Sequence, residues 1–364
     1  MNWQPGTAKL SVVWAIGLML AVMTVPRSPP GPATVHTLDG STMGTTWQVQ
    51  VLGADGGAPS PALAAELAAL LQRYDRNIFS SYAPESELSR LNRAAVGEAV
   101  VVSRELLEVL LWSRTISKLS FGAFDVTVGE LVNLWGFGPA WDGTQPSPER
   151  IAQALSRVDS AAYQINAAAR TVTRTADVTL DLSAIAKGYA VDAVAERLLE
   201  AGYAHFLVEV GGEIRAQGWS SPEQSWQIAI EEPVDADRKA YRLVDSRGEG
   251  VGLAGSGDYR NYRTVDGVRF SHEIDPRTGY PVTHSLSAVT VLAATAAEAD
   301  AWATALMVLG PEDGPYLAEY RGLAAFFIMK GEQGWQQRHT PAFEPYLSAF
   351  TSQAQGISHG QTQL

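Results

Sequence analysis

The segment from Asp181 to Asp192 constrains the fold of this chain more than any other. It follows the strand-like residues 178–180 and leads into an amphipathic helix that ends at Gly202. Lys187 falls in the first turn of this helix, where its charge opposes the positive end of the helix dipole. Because helix-start amides together with a lysine favour an anion, the segment predicts a phosphate-binding site.

The other predicted elements mix strands and helices without a regular alternation. Alternating or continuous apolar residues predict strands at 46–52, 163–165, 172–174, 206–210, 226–230, 250–253, 269–272, 287–292 and 324–329. Helical periodicity predicts helices at 62–74, 104–119, 149–157 and 295–309. This order argues against a doubly wound sheet. We therefore predict a single α+β domain of mixed sheets and helices over residues 36–350.

The two ends of the chain differ in character from the predicted domain. Lys9 precedes an apolar run over residues 10–25, and a proline-rich spacer follows the run. The run lacks a polar face, which favours a secretory signal peptide or an uncleaved signal-anchor over a buried core helix. We assign residues 1–35 to this signal or anchor with its linker, and we expect the rest to be exported. Residues 351–364 are rich in Ser, Gln and Gly, which predicts a disordered tail.

Composition narrows the classes of function. A formal charge of −12 and an isoelectric point near 5.0 argue against nucleic acid as a partner, because such binding needs a basic face. The chain has no cysteine, which excludes disulfides, thiolate zinc sites, iron–sulfur clusters and a lipidated N-terminal cysteine. An acidic chain that binds phosphate must do so locally, with helix ends, a few cations or a metal ion.

The helix predicted at 295–309 carries a candidate metal site. Thr295 and Glu298 form a capping-box pattern that places the start of the helix. Asp300 and Thr304 lie four residues apart, so their side chains lie one turn above each other. A carboxylate and a hydroxyl are hard oxygen ligands that suit Mg²⁺. In the alternative, structural interpretation, Asp300 favours the helix dipole and Thr304 packs.

A second candidate site precedes the turn at Pro276 and Gly279. His272 and Asp275 lie three residues apart there, and such a pair could supply acid–base chemistry. Alternatively, Asp275 caps the turn and His272 is a polar residue with a satisfied hydrogen bond. The remaining histidines show no zinc-ligand spacing, which argues against a zinc enzyme.

Several short motifs, each ambiguous alone, together resemble the ApbE family of FAD:protein FMN transferases. The resemblance covers roughly residues 40–310. The matching motifs, in family order, are Thr42–Thr45, Phe79–Tyr82, Ser86–Asn92, Gly122–Thr127, Asp181–Asp192, Val210–Glu213, Gly255–Arg260, Ser271–Gly279 and Ala299–Thr304. Two positions depart from the family pattern: Gly255 stands where a small polar residue is expected, and Glu273 adds a charge beside His272.

The resemblance implies an enzyme that moves the FMN half of FAD onto a threonine hydroxyl of a partner protein, with Mg²⁺. A phosphoester bond would form and AMP would be released. The residues that the resemblance places at the FAD site are Met43, Tyr82, Ala123, Phe124, Asp125, Asp181, Lys187 and Ile274. It implies Mg²⁺ ligands at the side chains of Asp300 and Thr304 and at the carbonyl of Ala184. His272, oriented by Asp275, is the candidate base for the threonine hydroxyl.

The resemblance also implies a partner and a location. The acceptor would be a flavin subunit of an Nqr/Rnf-like membrane redox complex, on the periplasmic side of the bacterial inner membrane. The N-terminal segment would hold the chain at that membrane, and the missing cysteine excludes a lipoprotein. Two other functions stay open, namely an FAD pyrophosphatase that gives FMN and AMP, and a non-catalytic FAD-binding carrier. The set of Asp300, Thr304 and His272 argues against the carrier, because binding alone does not need it.

Overall fold

The computed structural model describes residues 34–53, 57–234, 239–259, 261–265 and 267–348. The apolar run at 10–25 and the predicted tail at 351–364 lie outside these ranges, so both remain predictions. Among the described residues, none of the helices combines the length and the apolar character needed to span a bilayer.

Strands build the frame of the described part of the chain. In chain order they are β1 (Val35–Thr42), β2 (Thr45–Leu52), β3 (Ala99–Val101), β4 (Tyr163–Asn166), β5 (Thr171–Arg174), β6 (Phe206–Val210), β7 (Glu213–Gln217), β8 (Trp219–Ser221), β9 (Gln224–Ser225), β10 (Gln227–Glu231), β11 (Ala240–Asp245), β12 (Val251–Gly257), β13 (Tyr262–Val265), β14 (Val268–Ser271), β15 (Leu286–Ala293), β16 (Ala324–Gly331) and β17 (Gly334–His339). The large sheet is antiparallel and eight-stranded, in the order β1–β2–β6–β7–β12–β15–β16–β17. Smaller sheets are formed by β3–β5–β4, β8–β9, β10–β11 and β13–β14.

Helices are placed by their capping residues. In chain order they are α1 (Pro61–Arg73), α2 (Glu87–Arg93), α3 (Arg104–Leu119), α4 (Gly129–Leu134), α5 (Pro148–Leu155), α6 (Ala186–Glu200) and α7 (Ala296–Arg321). At the start of five helices, the side-chain hydroxyl of the N-cap residue accepts a hydrogen bond from a backbone N–H of the first turn. These N-cap residues are Ser60 of α1, Ser86 of α2, Ser103 of α3, Ser147 of α5 and Thr295 of α7. Because each such bond satisfies an amide that would otherwise lack a partner, these helices begin where the sequence supplies a cap.

The main core lies between one face of the large sheet and the helices that cover it, chiefly α1, α3, α6 and α7. In strand β6, side chains alternate between the two faces of the sheet, so that every second residue enters the core. Phe206, Val208 and Val210 are buried, while Leu207 and Glu209 point to the opposite face. Each fully buried apolar side chain of this kind contributes about 1.5–3 kcal/mol by leaving water.

Two smaller clusters hold elements that reach the functional site. On the other face of the sheet, Ile228 of β10 belongs to a cluster with Phe326 and Phe343. A third cluster packs α4 and α5 against Ile274, which follows β14. The indole N–H of Trp135 donates to the carbonyl of Gly279 at 2.8 Å. The turn after β14 is therefore fixed from α4.

The prediction that Lys187 lies in the first turn of a helix is confirmed, since α6 begins at Ala186. The predicted strand at 178–180 is wrong. Only Thr179 pairs there, in an isolated bridge with Val128. Both backbone groups of Leu180 are bonded by the side chain of Asn92, each at 2.8 Å, so a side chain occupies the position of a neighbouring strand.

The helix predicted at 295–309 continues as α7 to Arg321. Gly310 interrupts it with φ 82° and ψ −169°, a conformation that glycine adopts without the cost of a Cβ. Pro311 follows directly, and proline fits the first position of a new helical segment. The sequence pattern therefore located the first half of α7 but not its continuation beyond the break.

Candidate functional site

A cavity of about 1100 Å³ opens where the starts of α6 and α7 meet β7, β12 and the segment after β14. Most residues that the sequence assigned to the site line this cavity. They are Ala123, Phe124, Asp125, Asp181, Ala184, Lys187, His272, Ile274, Asp300 and Thr304. Met43, Tyr82 and Asp275 are not among the lining residues.

The loop before α6 shapes the phosphate site predicted from the sequence. The carboxylate of Asp181 accepts hydrogen bonds from the backbone N–H of Ser183, at 2.9 Å, and from its hydroxyl. Ile185 occupies the N-cap position of α6, and its apolar side chain makes no capping bond. The carboxylate of Asp300, from α7, instead accepts the N–H of Gly188 at 3.1 Å. The N–H of Ala186 donates to the carbonyl of Leu182 at 2.9 Å, so the start of α6 offers a ligand the amide of Lys187 rather than a row of amides.

Lys187 has carboxylate partners in the described structure. Its Nζ donates to Oε1 of Glu213 at 2.9 Å and lies 4.0 Å from Oδ2 of Asp300. Burial by itself would lower the pKa of Lys187, but the charges of Asp300 and Glu213 raise it above its ordinary value. The side chain is therefore a fixed cation in the wall of the cavity.

Three buried carboxyl groups surround this one lysine. Glu213 and Asp300 are each 4% exposed, and Glu273 is 6% exposed. Burial is the main cause that raises the pKa of Glu213, to about 8, and it also raises the pKa of Glu273 and of Asp300. One oxygen of Glu213, Oε2, is buried without a hydrogen-bond partner. Because these buried carboxyl groups outnumber the cations beside them, the site favours the binding of a further cation.

The donor chemistry fits Mg²⁺. The hydroxyl of Thr304 lies 3.2 Å from that of Ser256, and Asp300 lies one turn before Thr304 on α7. Among the described residues, no group of three or more His, Cys, Asp or Glu side chains is arranged to hold a metal ion. Mg²⁺ suits this situation, since it takes one or two carboxylates and completes its shell with other oxygens, water and substrate phosphates.

The crossing of α6 and α7 fixes Asp300 against Lys187. The carboxylate of Asp192, on α6, accepts the N–H groups of Ala296 and Ala297 at 2.8 and 2.9 Å. Nη1 of Arg215, on β7, donates to the same carboxylate at 3.1 Å. Asp192 therefore caps α7 from a neighbouring helix and joins three elements of the site.

Replacing Gly188 with alanine is expected to destabilise this crossing. A Cβ at Gly188 would lie 2.4 Å from the carbonyl oxygen of Ala296 and 2.7 Å from Cα of Ala297. Because both are backbone atoms, the helices must separate, which we expect to lower the free energy of unfolding by about 1–3 kcal/mol. Chemical denaturation measures the loss. Gly57→Ala is the control, because open space surrounds that position; equal losses in the two variants would contradict the prediction.

His272 is held by neighbours other than the predicted one. Its Nδ1 lies 2.9 Å from the carbonyl oxygen of Asn261, and its Nε2 lies 3.6 Å from Oε1 of Glu273. The carboxylate of Asp275 accepts two hydrogen bonds from the guanidinium of Arg277, both at 2.9 Å. The expectation that Asp275 orients His272 is therefore corrected: the carbonyl of Asn261 sets the ring, and Asp275 organises its own turn.

Tyr82 lies at the rim of the cavity. Its side chain is exposed, and its hydroxyl donates to the carbonyl of Phe137 at 2.7 Å. Partial burial raises the pKa of Tyr82, and the charge of Asp181 acts in the same direction. The ring of Phe137 in turn makes an edge contact with His272 at a centroid distance of 6.2 Å. Tyr82 is thus connected through Phe137 to the lining residue His272.

Met43 and Asp125 are fixed by their local backbone. Met43 forms the turn between β1 and β2 with φ 48°, a left-handed conformation that is uncommon for a residue other than glycine. Oδ1 of Asp125 accepts from the N–H and the hydroxyl of Thr127 at 2.8 and 2.7 Å. Burial raises the pKa of Asp125, and the bonds from Thr127 act in the opposite direction.

Sequence reasoning missed Glu213, Glu273, Asp192 and Arg215 as parts of the site. Glu213 closes a matching motif, and Asp192 closes the segment that drew attention first, so both were visible without a role. Glu273 stood out only as an added charge. The signal that could have found them is a charged residue inside an apolar strand or helix face, which needs a buried partner.

Comparisons with known proteins agree on one family. The model of the ApbE family matches residues 43–327. An FAD:protein FMN transferase of Klebsiella pneumoniae (strain 342) is 41% identical over 89% of this chain and 92% of its own length. That of Haemophilus influenzae is 41% identical over 85% of this chain and 91% of its own. The structure of the flavin transferase ApbE from Vibrio cholerae matches with a TM-score of 0.79 and 38% identity, over 87% of this chain and 100% of that one.

Proposed function

This chain belongs to the ApbE family, and we propose that its cavity transfers the FMN moiety of FAD to a threonine hydroxyl of a partner protein, with Mg²⁺ and with release of AMP. The chain is an enzyme that transfers FMN from FAD to a protein. The observation that carries the finer proposal is the contact of Lys187 with the buried carboxylates of Glu213 and Asp300 at the start of α6.

The contacts to FAD follow from the chemistry of the lining. Lys187 would bind the diphosphate through the charge of its side chain and through its own backbone N–H at the start of α6. The exposed ring of Tyr82 offers a face on which the flavin or adenine could stack. Asp125 and Asp181 would accept hydrogen bonds from base, ribose or ring N–H groups. Met43, Ala123, Phe124 and Ile274 would supply the apolar contacts to the rings.

Phosphoryl transfer depends on positioning and on neutralising charge. Asp300, Thr304 and the carbonyl of Ala184 would hold Mg²⁺, which when bound neutralises charge on the phosphates. Lys187 would stabilise the charge that moves onto the departing AMP. His272 would accept the proton of the threonine hydroxyl as its oxygen attacks the FMN phosphorus.

The test is a labelling experiment. The full chain is incubated with FAD, MgCl₂ and a purified flavin subunit of an Nqr/Rnf-like complex. We expect a fluorescent acceptor band on a denaturing gel and one AMP per labelled chain, because the flavin becomes covalently bound. The control is the same acceptor with its target threonine changed to valine, and a second reaction contains EDTA in place of MgCl₂. Both controls are expected to remain dark.

Two outcomes would overturn the proposal. AMP release without a labelled acceptor would identify an FAD pyrophosphatase, because water then takes the place of the hydroxyl. Retained FAD without AMP would identify a carrier. Labelling that persists in EDTA would show that the transfer does not need Mg²⁺, while the transfer itself would stand.

We also propose that residues 10–25 direct the chain across the inner membrane and hold it there, with the enzyme in the periplasm. The support is the uninterrupted apolar character of this run and the proline-rich spacer that separates it from β1. Fractionation of cells that express the full chain, compared with a variant lacking residues 1–33, tests this proposal. Activity in the cytosolic fraction of full-chain cells would contradict it.

A further inference from the structure

Glu273 is a buried carboxyl group of the cavity for which the proposed reaction has no role. It is 6% exposed, it lines the cavity, and its backbone N–H bonds the hydroxyl of Ser271 at 3.1 Å. The charged and titratable groups that act on its side chain are His272, Lys187 and Asp300, and the hydroxyl of Ser256 bonds it. A carboxyl group buried in this way costs stability unless its neighbours compensate it.

The tautomer of His272 follows from its contact with Asn261. Nδ1 lies 2.9 Å from a backbone carbonyl oxygen, which can only accept. Nδ1 therefore carries a proton, and a neutral ring has its lone pair on Nε2. Nε2 is also the atom that lies 3.6 Å from Oε1 of Glu273. The basic nitrogen of His272 thus faces the cavity beside a carboxylate.

The contact places the carboxylate of Glu273 beside the ring atom that would receive the proton. A lone pair beside a carboxylate is repelled, whereas an N–H⁺ at the same place is attracted. The attraction between the ring and the carboxylate develops only when Nε2 takes up a proton. A general base takes up a proton in the same way during catalysis.

We propose that Glu273 is a positioning residue for His272, and that it stabilises the imidazolium formed when Nε2 takes the proton of the acceptor threonine. This inference rests on the proposed transfer of FMN. In the step, the threonine oxygen forms a bond to the FMN phosphorus. The bond from that phosphorus to the bridging oxygen breaks, and its electron pair leaves with AMP. The hydroxyl proton passes to Nε2, and Glu273 faces the resulting charge.

The test is Glu273→Gln, assayed for labelling of the acceptor and for AMP. Glutamine keeps the shape and the oxygen of the side chain but not its charge. We expect kcat to fall about 10- to 100-fold with little change in KM for FAD. Glu273→Asp is expected to restore part of kcat.

A second variant separates this role from a purely structural one. In a His272→Ala background, Glu273→Gln is expected to have no further effect on kcat, because the two residues act as one unit. An unchanged kcat in Glu273→Gln, or fully additive losses in the double variant, would overturn the inference while labelling by the wild-type chain still upholds the transfer. If the wild-type chain labels no acceptor, the proposed function itself has failed, and the inference falls with it.

Discussion

Replacing Lys187 with methionine is expected to slow FMN transfer by about 100-fold or more, and to lower the free energy of unfolding by about 3–5 kcal/mol. The rate falls because the diphosphate loses the cation that the cavity wall holds against it. The stability falls because Glu213 and Asp300 keep their burial and lose the charge that compensates them. Labelling assays at equal concentrations of folded protein measure the first effect, and chemical denaturation measures the second.

A double variant separates the two effects of this substitution. Lys187→Met combined with Glu213→Gln removes both members of the closest pair, and is expected to recover much of the stability but none of the transfer. Lys330→Met is the control, because Lys330 is exposed on β16 and outside the cavity lining. Normal transfer by the folded Lys187→Met variant would show that the lysine serves the fold alone.

Replacing Asp300 with asparagine is expected to reduce transfer by about 100-fold or more without loss of stability. The amide is nearly isosteric and can still accept the N–H of Gly188, which the carboxylate accepts at 3.1 Å. The substitution also removes one buried negative charge beside Glu213. We therefore expect an unchanged or higher melting temperature together with a weaker response of the transfer rate to MgCl₂.

The matched control for this variant lies on the same helix. Glu312 is exposed on α7 beyond the break at Gly310, so Glu312→Gln changes the charge by the same amount outside the cavity. A titration with MgCl₂ from the micromolar to the millimolar range is made for both variants. If Asp300→Asn shows the same MgCl₂ dependence as the control, the metal does not contact this side chain.

Elements with strong local signals were predictable from the sequence. Helix α3 was predicted at 104–119, the bounds that the structure shows, because its apolar period is strong and Ser103 supplies an N-cap there. Strand β6 was predicted for the same kind of reason, since its buried residues alternate. Strands β1 and β17 were missed: they are edge strands with few buried residues, so their sequences lack an apolar pattern.

The failures at 178–180 and in α7 come from tertiary contacts. Val178 and Leu180 are buried, so their apolar character imitates a strand. The partner of Leu180 is Asn92, 88 residues earlier, and no local pattern indicates a bond over that distance. Similarly, Gly310 ends the helical period although the backbone resumes a helix at Pro311.

The site was predictable as a set of motifs but not as a network. Lys187 and Asp300 were found by local reasoning about helix starts and spacing. The bond from Lys187 to Glu213 spans 26 residues, and that from Gly188 to Asp300 spans 112, so only the fold brings these groups together. The proposed role of Glu273 likewise depends on a contact that only the fold creates. The carbonyl of Asn261 fixes which nitrogen of His272 is basic.

The tight crossing of α6 and α7 has a consequence for redesign of the enzyme. At Gly188 the neighbouring backbone leaves no room for a methyl group, so a larger residue there would shift the helices that carry the lining residues Lys187 and Asp300. Another part of the lining, residues 227–231, belongs to the β10–β11 hairpin, which packs in a separate cluster. A library that aims to admit altered flavins should therefore diversify this hairpin and keep the crossing constant.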